Sequence, residues 1–199
     1  MSSNICLLIL LQRDAERTRR ALLDAAATAL RTHGPAVSLD AVALEAGVSK
    51  GGLLHHFRSK DELFAGLAEE WMARFDAVVQ THLDAADAAP GRMCRAHIRA
   101  AFDDIVTGDD QLWSDPAVLT ALLAVPEVLR RARESGVRWR SELSADGLHP
   151  DRVLLISRVL DGMWMTELLE GRADLVERHR SRDILLGLTR FTGPMAPSQ

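Results

Sequence analysis

Apolar residues return along this chain every three or four positions for almost its whole length, and nowhere in the alternation of a half-buried strand. Leu22, Ala26 and Leu30 form the first such row. It predicts a helix from about Ala15 to Thr32, stopped by His33-Gly34-Pro35. Ser38 is a good N-cap for a second helix, Leu39 to Ala46, with Asp40 in its first turn. Gly47 supplies a turn, and Ser49 caps a very short third helix ending near Phe57. Ser59-Lys60-Asp61-Glu62 fits a capping box and opens a long helix toward His82. Proline and glycine then punctuate the chain, and the spacing predicts helices over 92–106, 116–123, 126–143, 150–169 and 173–191. The expectation is an all-α protein of about nine helices.

The third helix is unusual in what it leaves bare. On a helical wheel Leu53 and Phe57 share the face that must be buried. The opposite face carries Gly51, Gly52 and His55, with Leu54 at its edge. Each glycine costs about 1 kcal/mol of helix propensity relative to alanine. What the missing side chains allow is a close approach of the backbone to something else, and the helix N-terminus favours an anion. Lys50, His55, His56 and Lys60 add donors within two turns. A capped helix, a glycine turn and a short second helix make a helix-turn-helix over about residues 38–57, whose second helix would enter a DNA major groove. A loose turn with two solvated histidines is the alternative reading of the same residues.

Toward the other end, the helix over 150–169 carries Val153, Leu154, Leu155, Ile156, Val159, Leu160, Met163, Trp164, Met165 and Leu168. These cover nearly its whole circumference, so it must be buried on all sides. With Ile184 and Leu188 of the last helix it predicts half of a four-helix homodimer interface, with Val153, Ile156, Leu160, Leu168, Ile184 and Leu188 at the seam. Gly162 either lets helices pack closely there or opens space for a ligand. Phe102, Trp113, Trp139, Met163 and Trp164 fall on helices that would surround a central cavity, with His97 as a polar anchor. The same residues also make an ordinary helical core.

Composition narrows the classes. The chain has 199 residues, 47% hydrophobic and 26% charged, which is ordinary for a globular protein. Its net charge of −4 speaks against nucleic acid only when averaged. Between Arg13 and Phe64 there are eight Lys/Arg against seven Asp/Glu, of 24 and 28 in all, so the acidity lies elsewhere. Cys6 and Cys94 make no disulfide framework and fit a reducing cytoplasm. The apolar run Ile5 to Leu11 is far shorter than the roughly 20 residues of a membrane span, and no membrane partner is expected. Residues 1–12 are expected to be a flexible extension, a frayed start of the first helix or a start assigned too far upstream, with a membrane or dimer contact as the remaining reading. Residues 192–199 have the composition of a flexible tail. Cys94 and His97 stand i, i+3, but no second pair has metal spacing, and neither metal nor cofactor is expected. No HExxH, Walker A, GxSxG or GxGxxG motif is present, so no enzyme is expected.

The run Thr18 to Leu67, TRRALLDAAATALRTHGPAVSLDAVALEAGVSKGGLLHHFRSKDELFAGL, resembles the N-terminal domain of the TetR family of transcriptional regulators. The features that carry the resemblance are Leu22/Leu23 with Ala25-Ala26, Gly34, Ser38, Ala41-Val42-Ala43, Ala46 to Gly51, Leu53, His56-Phe57 and Ser59 to Leu63. The resemblance covers about a quarter of the chain. It implies that Ser38, Ser49, His56 and Lys60 hold phosphates, and that Lys50, Gly51, Gly52, Leu54 and His55 face the groove. Leu54 departs from the family, which usually has a phosphate-donating tyrosine there; Lys50 or His55 would have to make up that bond. The expected layout is an extension at 1–12, a three-helix DNA-binding domain at 13–60, a ligand-binding and dimerisation bundle at 61–191, and the tail. The implied function is a dimeric, ligand-responsive regulator on double-stranded DNA. It would be a repressor released from a palindromic operator by a small apolar or amphipathic effector. An activator, an enzyme, or an interaction module that keeps the helix-turn-helix as a scaffold are the competing readings.

Overall fold

In the computed structural model, residues 2–103, 115–170 and 174–195 are described, apart from the side chains of 2–12, 116, 117, 119 and 168. Among them every regular element is helical: α1 Ser2–His33, α2 Leu39–Glu45, α3 Lys50–His56, α4 Lys60–Thr81, α5 Arg92–Phe102, α6 Pro116–Leu123, α7 Pro126–Ser144, α8 Pro150–Glu170 and α9 Leu175–Leu188, with a 3-10 turn at Gly34–Ala36. No helix among the described residues is long and apolar enough to cross a membrane.

The chain divides into two units. The first spans Met1–Glu69 and Gly108–Leu129, the second Glu70–Thr107 and Arg130–Gln199. The first unit runs nine residues beyond the boundary expected at 60 and takes in α6, which packs on α1. Val118, Ala121 and Leu122 of α6 are buried there. Sequence spacing did not show that a segment so far along the chain returns to the N-terminal helices.

Within the first unit, α1 buries Leu22, Leu23, Ala26 and Leu30, α2 buries Val42 and Ala43, and α3 buries Leu53. Local signals set the ends as expected. The Ser38 hydroxyl accepts from the Ala41 N–H and the Ser49 hydroxyl from the Gly52 N–H, each at 3.1 Å. Gly47 has φ +66°, a left-handed conformation that turns α2 into α3. At the start of α4 the Ser59 hydroxyl accepts from the Glu62 N–H at 3.1 Å, and the Glu62 carboxylate reaches back to the Arg58 N–H at 2.8 Å. The α1 helix begins at Ser2, thirteen residues before the expected Ala15.

The second unit is built on α5. Cys94, Ile98 and Phe102 of α5 meet Leu143, Leu148, Val153, Ile156 and Leu185 in one buried cluster. Truncating Ile98 or Ile156 to alanine removes about 2–5 kcal/mol of such packing. α5 stops at Phe102, because Asp103 is extended; the expected continuation to 106 leaves the described residues at 104. α9 starts later and ends earlier than expected. Asp174 caps it by accepting from the Val176 and Glu177 N–H groups. Past its end, the buried guanidinium of Arg152 donates to the Leu188 and Gly193 carbonyls at 2.9 and 2.6 Å.

Candidate functional site

The face of α3 opposite Leu53 is solvent-exposed: Gly51, Gly52, His55 and Leu54 all lie on it, Leu54 at 36% exposure. Leu53 and Phe57 are buried beneath. The Phe57 ring comes so near α4 that a Cβ at Gly66 would stand 2.8 Å from it, and the Arg19 guanidinium covers the ring at 4.9 Å. α3 is thereby seated on the first turns of α4.

The polar residues around this face have definite partners. Lys50 Nζ is 2.8 Å from the Asp40 carboxylate. Lys60 Nζ donates to the Pro35 carbonyl at 2.6 Å and stands 5.4 Å from the Phe64 ring centre. His55 and His56 meet edge to face at 5.5 Å. Burial lowers the pKa of His56 from its ordinary 6.5, and the charges of His55 and Arg19 lower it further. At neutral pH His56 is therefore an uncharged imidazole that can donate one N–H. Ser38 and Ser49 use their lone pairs as caps and keep their hydroxyl protons for an outside acceptor. Six of the nine residues named from the sequence lie on α3, Ser49 caps it, Ser38 caps α2, and Lys60 opens α4. The partner of Lys50 was missed; only the position of Asp40 in the first turn of α2 hinted at it.

In the second unit, His97 is 4% exposed and meets Phe75 at 5.9 Å and Trp139 at 6.4 Å. Its Nδ1 lies 3.2 Å from the Met93 carbonyl, which requires a proton on Nδ1. The buried Nε2 then carries a lone pair and finds no hydrogen-bond partner among the described residues. Burial holds the pKa of His97 below its ordinary value. Asp76 ties α4 to α7 by accepting from Trp139 Nε1 and Arg138 Nη2, both at 2.7 Å. That bond raises the pKa of Arg138.

The remaining candidates for a cavity have other partners besides Phe75, which packs against the core that holds Phe102. Phe102 is buried in the α5 core, under the Arg178 guanidinium, and Met163 packs against the same core. Trp164 pairs edge to face with Trp71 at 5.4 Å. Trp113 lies outside the described residues. Phe75, Asp76 and Trp71 were not singled out from the sequence, although Trp71, Phe75 and Val79 stand in an i, i+4, i+8 row.

The seam residues also divide. Val153 and Ile156 are buried in the chain's own core, while Leu160 and Leu188 pack against that core and stay partly exposed. Ile184 is exposed at 57%, and the side chain of Leu168 lies outside the described residues. Of α8's apolar circumference, one face is buried by α5 and α9 of the same chain. A different row stays open: Leu155, Val159, Gly162, Thr166 and Leu169, at spacings of four, three, four and three.

Cys94 is fully buried, with its thiol pushed up to about 12, and burial is the main cause. Such a thiol is a poor metal ligand, and no group of three or more candidate ligands occurs among the described residues.

Comparison with known proteins bears on these sites. Residues 22–67 match the family model described as bacterial regulatory proteins, tetR family, and residues 91–190 match the tetracyclin repressor-like C-terminal domain. The chain is 26% identical over 167 residues to the HTH-type transcriptional regulator BetI of Serratia proteamaculans (strain 568), which covers 78% of this chain and 83% of that protein. Its structure is similar to that of a transcriptional regulator from Rhodococcus sp. Rha1, with a TM-score of 0.65 and 24% identity over 88% of this chain and 95% of the other. It is also similar to the multidrug binding protein EbrR complexed with imidazole, with a TM-score of 0.60 and 24% identity over 92% and 93%.

Proposed function

This chain belongs to the TetR family of bacterial transcriptional regulators, DNA-binding proteins of a ligand-responsive family, and from that premise we propose that it is a homodimeric repressor released from a palindromic operator by a small apolar or amphipathic effector. It would work in the cytoplasm, on double-stranded DNA. The observation that carries the reading is the bare face of α3. Two adjacent glycines occupy the outer side of a capped, packed helix where no neighbour in the protein needs them. On this reading Ser38, Ser49, His56 and Lys60 would hold phosphates, and Lys50, Leu54 and His55 would meet the groove beside the glycines.

The dimer is supported by the exposed row on α8 from Leu155 to Leu169, and by exposed Leu175, Val176 and Ile184 on α9. Two reading heads on two half-sites multiply an affinity that one seven-residue helix cannot supply alone. An organic effector is supported by the aromatic cluster of Phe75, His97 and Trp139, and by EbrR, whose structure has been determined with imidazole and with malachite green. Phe102, Met163 and Trp164 stay candidates for the surroundings of that ligand.

Footprinting on the DNA upstream of the protein's own gene tests the reading. Two protected half-sites about one helical turn apart, 34–36 Å, are expected. Compounds that shift the melting temperature should then reduce protection. Absence of protection at low salt would refute the operator reading, and protection strengthened by the compound would refute release.

A further inference from the structure

The reading helix has one permanent cation in its sequence, Lys50, and the fold does not leave it free. Lys50 is the first residue of α3, and its ammonium lies 2.8 Å from Oδ2 of Asp40 in the first turn of α2. Both side chains are about half exposed, at 52% and 65%, so the pair stands on the surface beside Gly51 and Gly52. An exposed pair of this kind contributes little to stability. It does place a carboxylate oxygen where a DNA phosphate oxygen would otherwise compete for the same ammonium. No other side chain of α3 carries a permanent charge: the two glycines have none, Leu54 is apolar, and His55 and His56 are imidazoles, the pKa of His56 lowered by burial.

We propose that Asp40 determines specificity by acting as an intramolecular stand-in for phosphate. Its carboxylate occupies Lys50, so that arbitrary DNA gains little from this residue. An operator offering groove-edge acceptors in the right place draws the ammonium away from Asp40 or uses its remaining donors. The effect of Asp40 is thus to weaken non-specific binding more than operator binding. This rests on α3 being the DNA-reading helix.

The test uses the full chain, as wild type, Asp40→Asn, Lys50→Met and the double variant, with Asp40→Ser as a second neutral replacement. Each is titrated against a random-sequence duplex and against a duplex selected from a random pool by the wild type, over a range of salt. For Asp40→Asn, binding to the random duplex should tighten several-fold. Its log–log salt slope should steepen by about 0.9, which is about a 3.5-fold larger loss between about 50 and 200 mM salt. Binding to the selected duplex should change less, so selectivity falls. In the Lys50→Met background the effect of Asp40→Asn should shrink toward none. An equal gain in both backgrounds would show that Asp40 acts only as a distant charge, and overturn the proposal. So would unchanged or weakened random-duplex binding in both the Asn and Ser variants. If the wild type binds neither duplex, the DNA reading itself falls; if it binds and the variants behave alike, only the role of Asp40 falls.

Discussion

At the scale of single residues, Gly51 and Gly52 separate what the fold needs from what the function needs. Neither has a positive φ, and a Cβ at Gly51 would meet only the Ser49 hydroxyl at 3.9 Å. A Cβ at Gly52 would stand 3.4 Å from the same oxygen, an ordinary contact. The helix would be better off with alanine by about 1 kcal/mol at each. Gly51→Ala should therefore raise the melting temperature by about 2–4 °C while weakening operator binding, and Gly51→Leu should abolish it. Full operator affinity in Gly51→Leu would mean that nothing presses against this face. His97 works in the other direction. Burial, with a smaller contribution from Arg138, lowers its pKa against the opposing pull of the Met93 carbonyl, Glu142 and Asp76. Above the unfolded value of about 6.5 both states are neutral and the residue adds no pH dependence. As pH falls below that value the unfolded chain takes the proton more readily, so stability declines until the folded value is passed. Between about pH 7.5 and 5 the melting temperature of wild type should fall further than that of His97→Leu, as thermal unfolding across pH would show; parallel curves would place the titration elsewhere.

At the scale of elements, α8 carries the most informative disagreement with the sequence pattern. Its apolar residues surround the helix, but they do two jobs: Val153 and Ile156 close the protomer core, while Leu155, Val159 and Leu169 stay exposed around Gly162 and Thr166. A Cβ at Gly162 would meet nothing within 4 Å inside the chain, so the protomer does not require glycine there. The proposed dimer does, if helices cross at this point. Gly162→Trp should leave helix content intact and turn the dimer into a monomer by analytical ultracentrifugation. A variant that stays dimeric would move the seam away from this row. Periodicity revealed which positions on α8 are apolar, but not which neighbour each one faces, because that depends on where α5 and α9 arrive. Local chemistry was a better guide. Ser38, Ser49 and Ser59 cap their helices as their spacing suggested, since a cap needs only groups three residues away. The return of α6 to α1, and the contact of Asp76 with Trp139 across 63 positions, leave no comparable local mark.

At the scale of the whole molecule, α4 runs from the first unit into the second. Its residues up to Glu69 belong to the first unit and those from Glu70 to the second. Phe57 presses α3 onto Gly66 near its start, while Phe75 and Asp76 near its end touch Trp139 and His97. The proposed release by an effector makes a thermodynamic demand that does not depend on its route. If an effector weakens operator binding by some factor, the operator must weaken effector binding by the same factor, about 5–150-fold for couplings of 1–3 kcal/mol. A compound found by its shift of the melting temperature can be titrated by the change in tryptophan fluorescence, with and without saturating operator duplex. The expected result is weaker binding in the presence of operator, by the factor found in the reverse titration. Equal affinities would mean that the compound does not discriminate the two states and is no effector, however tightly it binds. Tighter binding on the operator would make it a co-repressor and reverse the direction of control.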